Sequence, residues 1–200
     1  MTRPSLLRTH QHPYHVTSRT LDREFFPIPL KVMWPLMLTQ LQFCHQLYQL
    51  RIHAFVLMGN HFHLLCQTPH ENLDEIMAYL LKGSSLTIRQ GPLWAPRYKW
   101  SLISAPSHYY QVYRYIFQNP LRAKLVEKVE DYPYSSLHEV PFPLCTHVPM
   151  TFGGEKGEHL WLNEKYDEED QKLIRLGLRK FQFDINQRKI KAFNRLSLPG

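Results

Sequence analysis

Apolar and polar side chains alternate along Tyr14-His15-Val16-Thr17-Ser18, which predicts a first strand. Helical spacing follows: Leu38, Leu41, Leu47 and Tyr48 recur within residues 35–50, and Pro35 suits the first turn of such a helix. Two apolar, β-rich runs come next, residues 52–57 and 61–67, joined through Gly59-Asn60. That pattern predicts a two-residue hairpin in which Gly59 supplies a positive φ. The hairpin sets a register, with Met58 facing His61, Leu57 facing Phe62 and Val56 facing His63. His61 and His63 then share one face, while Phe55, Leu57, Phe62 and Leu64 share the other. Asn72 is placed to cap a helix over residues 73–89, with Leu73, Ile76, Met77 and Leu80 on its buried side and Gly91-Pro92 as its stop. Residues 97–103 alternate again and predict a fourth strand. A third helix, about 107–119, opens after Pro106.

Strand, helix, strand, strand, helix, strand is the ferredoxin-like plan, an α+β fold with a four-stranded antiparallel sheet and two helices on one face. Those helices cover the Phe62 face, so His61 and His63 lie on the opposite one, with the third helix as its cover. Tyr109, Val112, Tyr113 and Ile116 form an apolar stripe on that helix, and His108, Gln111, Tyr115 and Asn119 form a polar one. Asn119 fits two roles, a cap before Pro120 and a ligand beside the histidines. Residues 1–138 are read as one domain. Residues 139–200 are read as an irregular linker over 140–154 and a basic appendage, helical over 168–183 with Leu173, Leu176 and Phe183 as its buried positions.

Charge changes this picture. The net charge is +7 at neutral pH, but residues 139–170 carry 2 basic and 8 acidic side chains while residues 171–200 carry 8 and 1. A basic body and a basic tail around an acidic segment point to a polyanion, nucleic acid first, with the tail expected to touch DNA backbone. Three cysteines without metal spacing fit a reducing compartment. No apolar run is long enough to span a bilayer and the start, Met1-Thr2-Arg3-Pro4, is not a secretory signal, so the expectation is a cytoplasmic protein with no membrane partner. Two imidazoles two residues apart on a strand can chelate one cation, and an apolar strand gives little other reason for the pair.

Four blocks carry a resemblance. Tyr14-His15-Val16-Thr17-Ser18-Arg19, Met58-Gly59-Asn60-His61-Phe62-His63-Leu64, Tyr115-Ile116-Phe117-Gln118-Asn119-Pro120-Leu121-Arg122-Ala123 and Asp131-Tyr132-Pro133-Tyr134-Ser135-Ser136 resemble, in order and spacing, the single-tyrosine HUH transposases of bacteria. The nearest branch is the REP-associated tyrosine transposases. The resemblance covers about residues 14–137. It departs at Gly59, where relatives often have proline, and at Thr20, where glycine is common. It implies metal-dependent cleavage and strand transfer on single-stranded DNA at hairpin-forming repeats, through a covalent 5′-phosphotyrosine. Tyr115 takes the nucleophile's place, His61 and His63 take the places of the metal ligands, and Asn119 can complete the site. Mg²⁺ or Mn²⁺ is the expected cofactor, although imidazoles also accept Zn²⁺. The expected partner is single-stranded or hairpin DNA in a nucleoid setting, bound by Arg19, Arg23, Trp94, Arg97, Lys99, Arg114 and Arg122; the protein is expected to be a monomer or a homodimer. Two other classes stay open: a non-catalytic DNA- or RNA-binding module of this fold, and a metal-dependent hydrolase using the same histidines.

Overall fold

The structure, a computed structural model, describes residues 6–88 and 91–185. The basic residues of 186–200, part of the expected DNA-contacting tail, lie outside them.

Four strands, β1 (Tyr14–Arg19), β2 (Arg51–Leu57), β3 (His61–Gln67) and β4 (Lys99–Leu102), pair antiparallel in the order β2-β3-β1-β4. The predicted register holds, with Val56 opposite His63 and Leu57 opposite Phe62. Helices α1 (Leu30–Tyr48) and α2 (Leu73–Ile88) cover one face and form with it a core of Tyr14, Val16, Phe55, Leu57, Phe62 and Leu64. This is the α+β plan expected from the order of elements.

Several local expectations fail for physical reasons. Helix α1 starts five residues before Pro35 and buries Met33, Met37, Leu41 and Cys44, while Leu47 is exposed. Pro35 is tolerated inside the helix because it faces solvent, as does Lys31, whose carbonyl loses its partner. Asn72 stands just before α2, but its side-chain oxygen accepts no hydrogen bond among the described residues. Gly59 does not take a positive φ. Instead it lies close under Phe25: a Cβ there would sit 2.8 Å from the Phe25 ring.

The second face carries α3 (Pro106–Phe117), followed by the short turn α4 (Asn119–Arg122). Helix α3 ends at Phe117, and Pro120 stands in the first turn of α4. Residues 139–185 continue through α5 (Val148–Thr151), α6 (Glu155–Asn163) and α7 (Glu168–Gly177) and pack on the outer side of α3. Val148, Trp161, Leu162, Ile174 and Phe183 share one core with Tyr109, Val112, Tyr113 and Ile116. The segment after residue 138 is therefore continuous with the core of the first 138 residues. Within it Leu176 is exposed and Ile174 takes the buried position. Both edges of the sheet are covered. Tyr134 to Ser136 and Cys145 hydrogen-bond to β2, and residues 181–183 hydrogen-bond to Leu102 of β4. No helix among the described residues is long and apolar enough to cross a membrane.

Candidate active site

Strand alternation and the hairpin carry His61 and His63 to the face that α3 covers. Asn60 fixes the first histidine. Its amide nitrogen donates to the Arg23 carbonyl at 2.8 Å, so its oxygen is the atom 2.7 Å from His61 Nδ1. His61 Nδ1 must then carry the proton, which leaves the lone pair on Nε2. Asp22 and Arg23 take left-handed φ values of 55° and 66° to aim that carbonyl.

His15 of β1 fixes the second. Thr17 lies opposite His63 in the ladder, so His15, two residues earlier, shares that face. Its Nε2 is 2.9 Å from His63 Nδ1, with the rings stacked at 5.2 Å. His63 Nε2 is buried and has no partner. When His63 Nδ1 donates to His15, that nitrogen too presents a lone pair. The His61 and His63 rings stand perpendicular at 5.1 Å. Among the described residues no three His, Cys, Asp or Glu side chains converge as a metal cage.

Burial pushes His61 down to about 4, with Arg122 and Arg19 adding to it. Burial alone takes His15 to about 3. His63 falls well below the usual range, first through burial and then through His15, His61 and Arg122. All three are neutral near pH 7, the form that binds metal. Outside this site, burial, His147 and Arg51 hold His53 at about 4. These shifts make stability pH-dependent. A histidine with a lowered folded pKa contributes fully above its unfolded value near 6.5, and the contribution is lost as pH falls toward the folded value. Each histidine near 4 costs about 2 kcal/mol by pH 5, so urea unfolding should show several kcal/mol less stability at pH 5 than at pH 7.5. Equal stability at the two pH values would refute the burial of neutral imidazoles.

Tyr115 reaches the histidines from α3. Its ring stands perpendicular to His63 at 5.9 Å and to His15 at 6.4 Å. Its hydroxyl accepts from Arg122 Nη1 at 3.0 Å, and that guanidinium also lies 5.1 Å from the ring centre. Arg122 Nη2 donates to Asn119 Oδ1. The Asn119 amide nitrogen donates to the carbonyls of Tyr115 and Ile116, at 2.9 and 3.2 Å. Asn119 therefore closes the end of α3 and holds Arg122 over the phenol, and its oxygen is already engaged.

A cleft of about 340 Å³ opens beside His61, lined by Arg19, Arg23, Arg97 and Lys99 with Thr17 and Asn60. Four of the side chains expected to bind DNA thus meet there. Two others do not reach the surface. Arg114 is 1% exposed, with its guanidinium between Trp161 and Tyr166 and 3.6 Å from Glu164. Trp94 packs on Phe26 and Phe62 and donates to Ser84 Oγ, so no base can stack on it.

With this geometry the chain can be compared with solved structures. Its fold is that of a REP-associated tyrosine transposase. That protein, solved bound to a REP hairpin, superposes with a TM-score of 0.63 over 68% of this chain and 82% of its own, at 18% identity. A proposed transposase from Deinococcus radiodurans, also 18% identical, covers 58% of this chain and 94% of its own, with a TM-score of 0.38, below what a shared fold requires. No protein-family model matches the sequence, and no curated protein matches it.

Sequence reasoning passed over His15, Asn60 and the Arg122–Tyr115 contact. Alternation along β1 was the available signal for His15, since it sets His15 and Thr17 apart from the core residues Tyr14 and Val16.

Proposed function

We propose that this chain cleaves and rejoins single-stranded DNA at hairpin-forming repeats through a covalent 5′-phosphotyrosine on Tyr115. One observation carries the reading: a tyrosine whose hydroxyl is held by an arginine packs its ring on His63 and His15, and His61, beside His63, lines a cationic cleft. A transposase of the same fold bound to a REP hairpin supports the choice of DNA.

His61 and His63 fit a divalent cation, Mg²⁺ or Mn²⁺, because the buried His63 Nε2 has no other partner and Asn60 leaves His61 Nε2 free. Such a cation supplies Lewis-acid polarisation of a non-bridging phosphate oxygen. The protein's own side chains do the rest. The cleft cations Arg19, Arg23, Arg97 and Lys99 hold the strand by its phosphates. Tyr115 Oη gives up its proton to solvent and attacks phosphorus, the Oη–P bond forms, the P–O3′ bond breaks, and the 3′-oxygen takes up a proton from solvent and leaves as a hydroxyl. Arg122, 3.0 Å from Oη, balances the negative charge around the phosphotyrosine. A second 3′-hydroxyl attacks the same phosphorus in reverse and releases the phenol, so the bond energy is conserved and no nucleotide is consumed.

The test is incubation with end-labelled single-stranded hairpin DNA and Mn²⁺ or Mg²⁺, followed by a denaturing gel. A denaturation-resistant adduct with a free 3′-hydroxyl is expected. Cleavage without an adduct would make the chain a hydrolase, and binding without cleavage would make it a binding module.

His15 has a measurable role in this reading, as the partner that holds the proton on His63 Nδ1. His15→Ala should weaken Mn²⁺ binding by ~10–100-fold, the usual cost of losing such a partner. Imidazole ¹⁵N shifts should show His63 moving from a single tautomer to a mixture, and His15→Gln, which restores an acceptor, should recover both properties. An unchanged His63 tautomer in His15→Ala would remove the role.

A further inference from the structure

Helix α7 turns Ile174 and Gly177 inward, where a Cβ on Gly177 would stand 2.6 Å from Ile185 and 2.8 Å from Phe183. Its outer side carries Lys172, Arg175, Leu176 and, in the turn that follows, Arg179. That i, i+3, i+4, i+7 stripe is built of cations and one exposed leucine. Such a stripe gives the core nothing, so its pattern calls for a partner outside the fold. The stripe lines a groove of about 510 Å³ that Arg122 also lines. Glu168 is the single acid on the lining, and among the described residues no salt bridge joins Lys172, Arg175 or Arg179 to a carboxylate. Arg122 is also the side chain on the Tyr115 hydroxyl. Arg122 thus borders both the phenol and the groove along α7, while the cleft of Arg19, Arg23, Arg97 and Lys99 is bordered by His61.

We propose that the α7 groove is a second binding site for single-stranded DNA backbone, and that it takes the flank 3′ of the cleaved bond, the one that becomes attached to Tyr115. The assignment rests on the tyrosine chemistry above. In an in-line displacement the leaving oxygen departs opposite the attacking one. The 3′-hydroxyl flank is thus directed away from Tyr115, and the cleft beside His61 is assigned to it. The flank that stays on phosphorus through its 5′-oxygen is the one free to turn past Arg122. There Lys172, Arg175 and Arg179 meet its phosphates, and Leu176 offers an apolar surface to a sugar or base.

The experiment compares the full chain with a Lys172→Ala, Arg175→Ala, Arg179→Ala variant. Equilibrium binding is measured in chelator, where the strand stays uncut, to hairpin oligonucleotides carrying two or ten nucleotides 3′ of the cleavage point, and to a control extended on the 5′ side. The full chain should bind the long 3′ flank about tenfold or more tightly than the short one. The variant should lose that gain, and its log K against log salt slope on the long substrate should fall by about 2, the release expected of three phosphates on a single strand. Affinity for the short substrate and adduct formation with it should not change, which also shows that the variant is folded. The proposal is overturned if the variant keeps the 3′ gain and the slope, if its loss appears on the 5′ extension, or if the full chain gains nothing from a 3′ flank. Flank-dependent binding without any adduct would instead remove the tyrosine chemistry and leave the groove as a binding site.

Discussion

Replacing Tyr115 by phenylalanine should leave DNA binding within a few-fold of the unchanged chain and reduce the covalent adduct to background. One oxygen is lost, and with it the single hydrogen bond from Arg122; the ring keeps its place against His15 and His63. The other tyrosines on α3 serve as internal controls because their hydroxyls are committed elsewhere. Tyr109 is tied to His53 and Thr146. Tyr113 donates to Glu158 at 2.6 Å, and burial, with Glu158 beside it, raises its pKa well above the usual phenol range. Tyr110 meets His147. Phenylalanine at 109 or 113 should keep the adduct. A denaturation-resistant adduct from the Tyr115→Phe protein would move the nucleophile to another side chain and undo the proposed mechanism.

Alanine in place of His61 and His63 together should lower cleavage by ~10³-fold or more, since loss of a charge-stabilising ion costs several kcal/mol of barrier. The two positions differ in what else they disturb. His61 is half-buried, and its removal frees only the Asn60 oxygen. His63 is fully enclosed, so its removal also leaves His15 Nε2 without a partner, at ~1–3 kcal/mol of stability. Titration with Mn²⁺ followed by its electron paramagnetic resonance signal separates the effects. The unchanged chain should bind the ion at one site, His61→Ala weakly, and the double variant not at all. Normal cleavage by a folded double variant would place the chemistry elsewhere.

What the sequence revealed follows from what period-two and helical patterns can carry. The hairpin register was legible because a one-residue slip would bring Phe62 and Leu64 to the wrong face. The pairing of His61 with His63 came with it, whereas Tyr115 was marked out by helical spacing together with the resemblance. The partners that tune these side chains were not legible, because they depend on contacts across the fold: His15 meets His63 only through the β1–β3 ladder, and Arg122 meets Tyr115 only after α4 turns back. Arg114 shows the opposite failure. Its sequence neighbours suggest a surface cation, yet Trp161 and Tyr166, about fifty residues away, enclose it. Gly59 was correctly taken for a loop residue, but what lies close to it is the Phe25 ring, 34 positions earlier.

Helix α3 is enclosed on one side by the sheet and on the other by residues that come last in the described chain: Trp161, Leu162, Ile174 and Phe183. The same late residues close the β4 edge, where Phe183 N–H donates to the Leu102 carbonyl at 2.8 Å. During synthesis, then, Tyr115 and both histidines leave the ribosome well before the parts that seat them. A nascent chain of 140 residues has both histidines, Tyr115 and Arg122 but a bare apolar face on α3 and an open β4 edge, so the helix that carries the tyrosine is not yet packed. The proposed strand cleavage should therefore require synthesis through residue 183, and a chain cut short before that point carries the motif without the outer layer that packs α3.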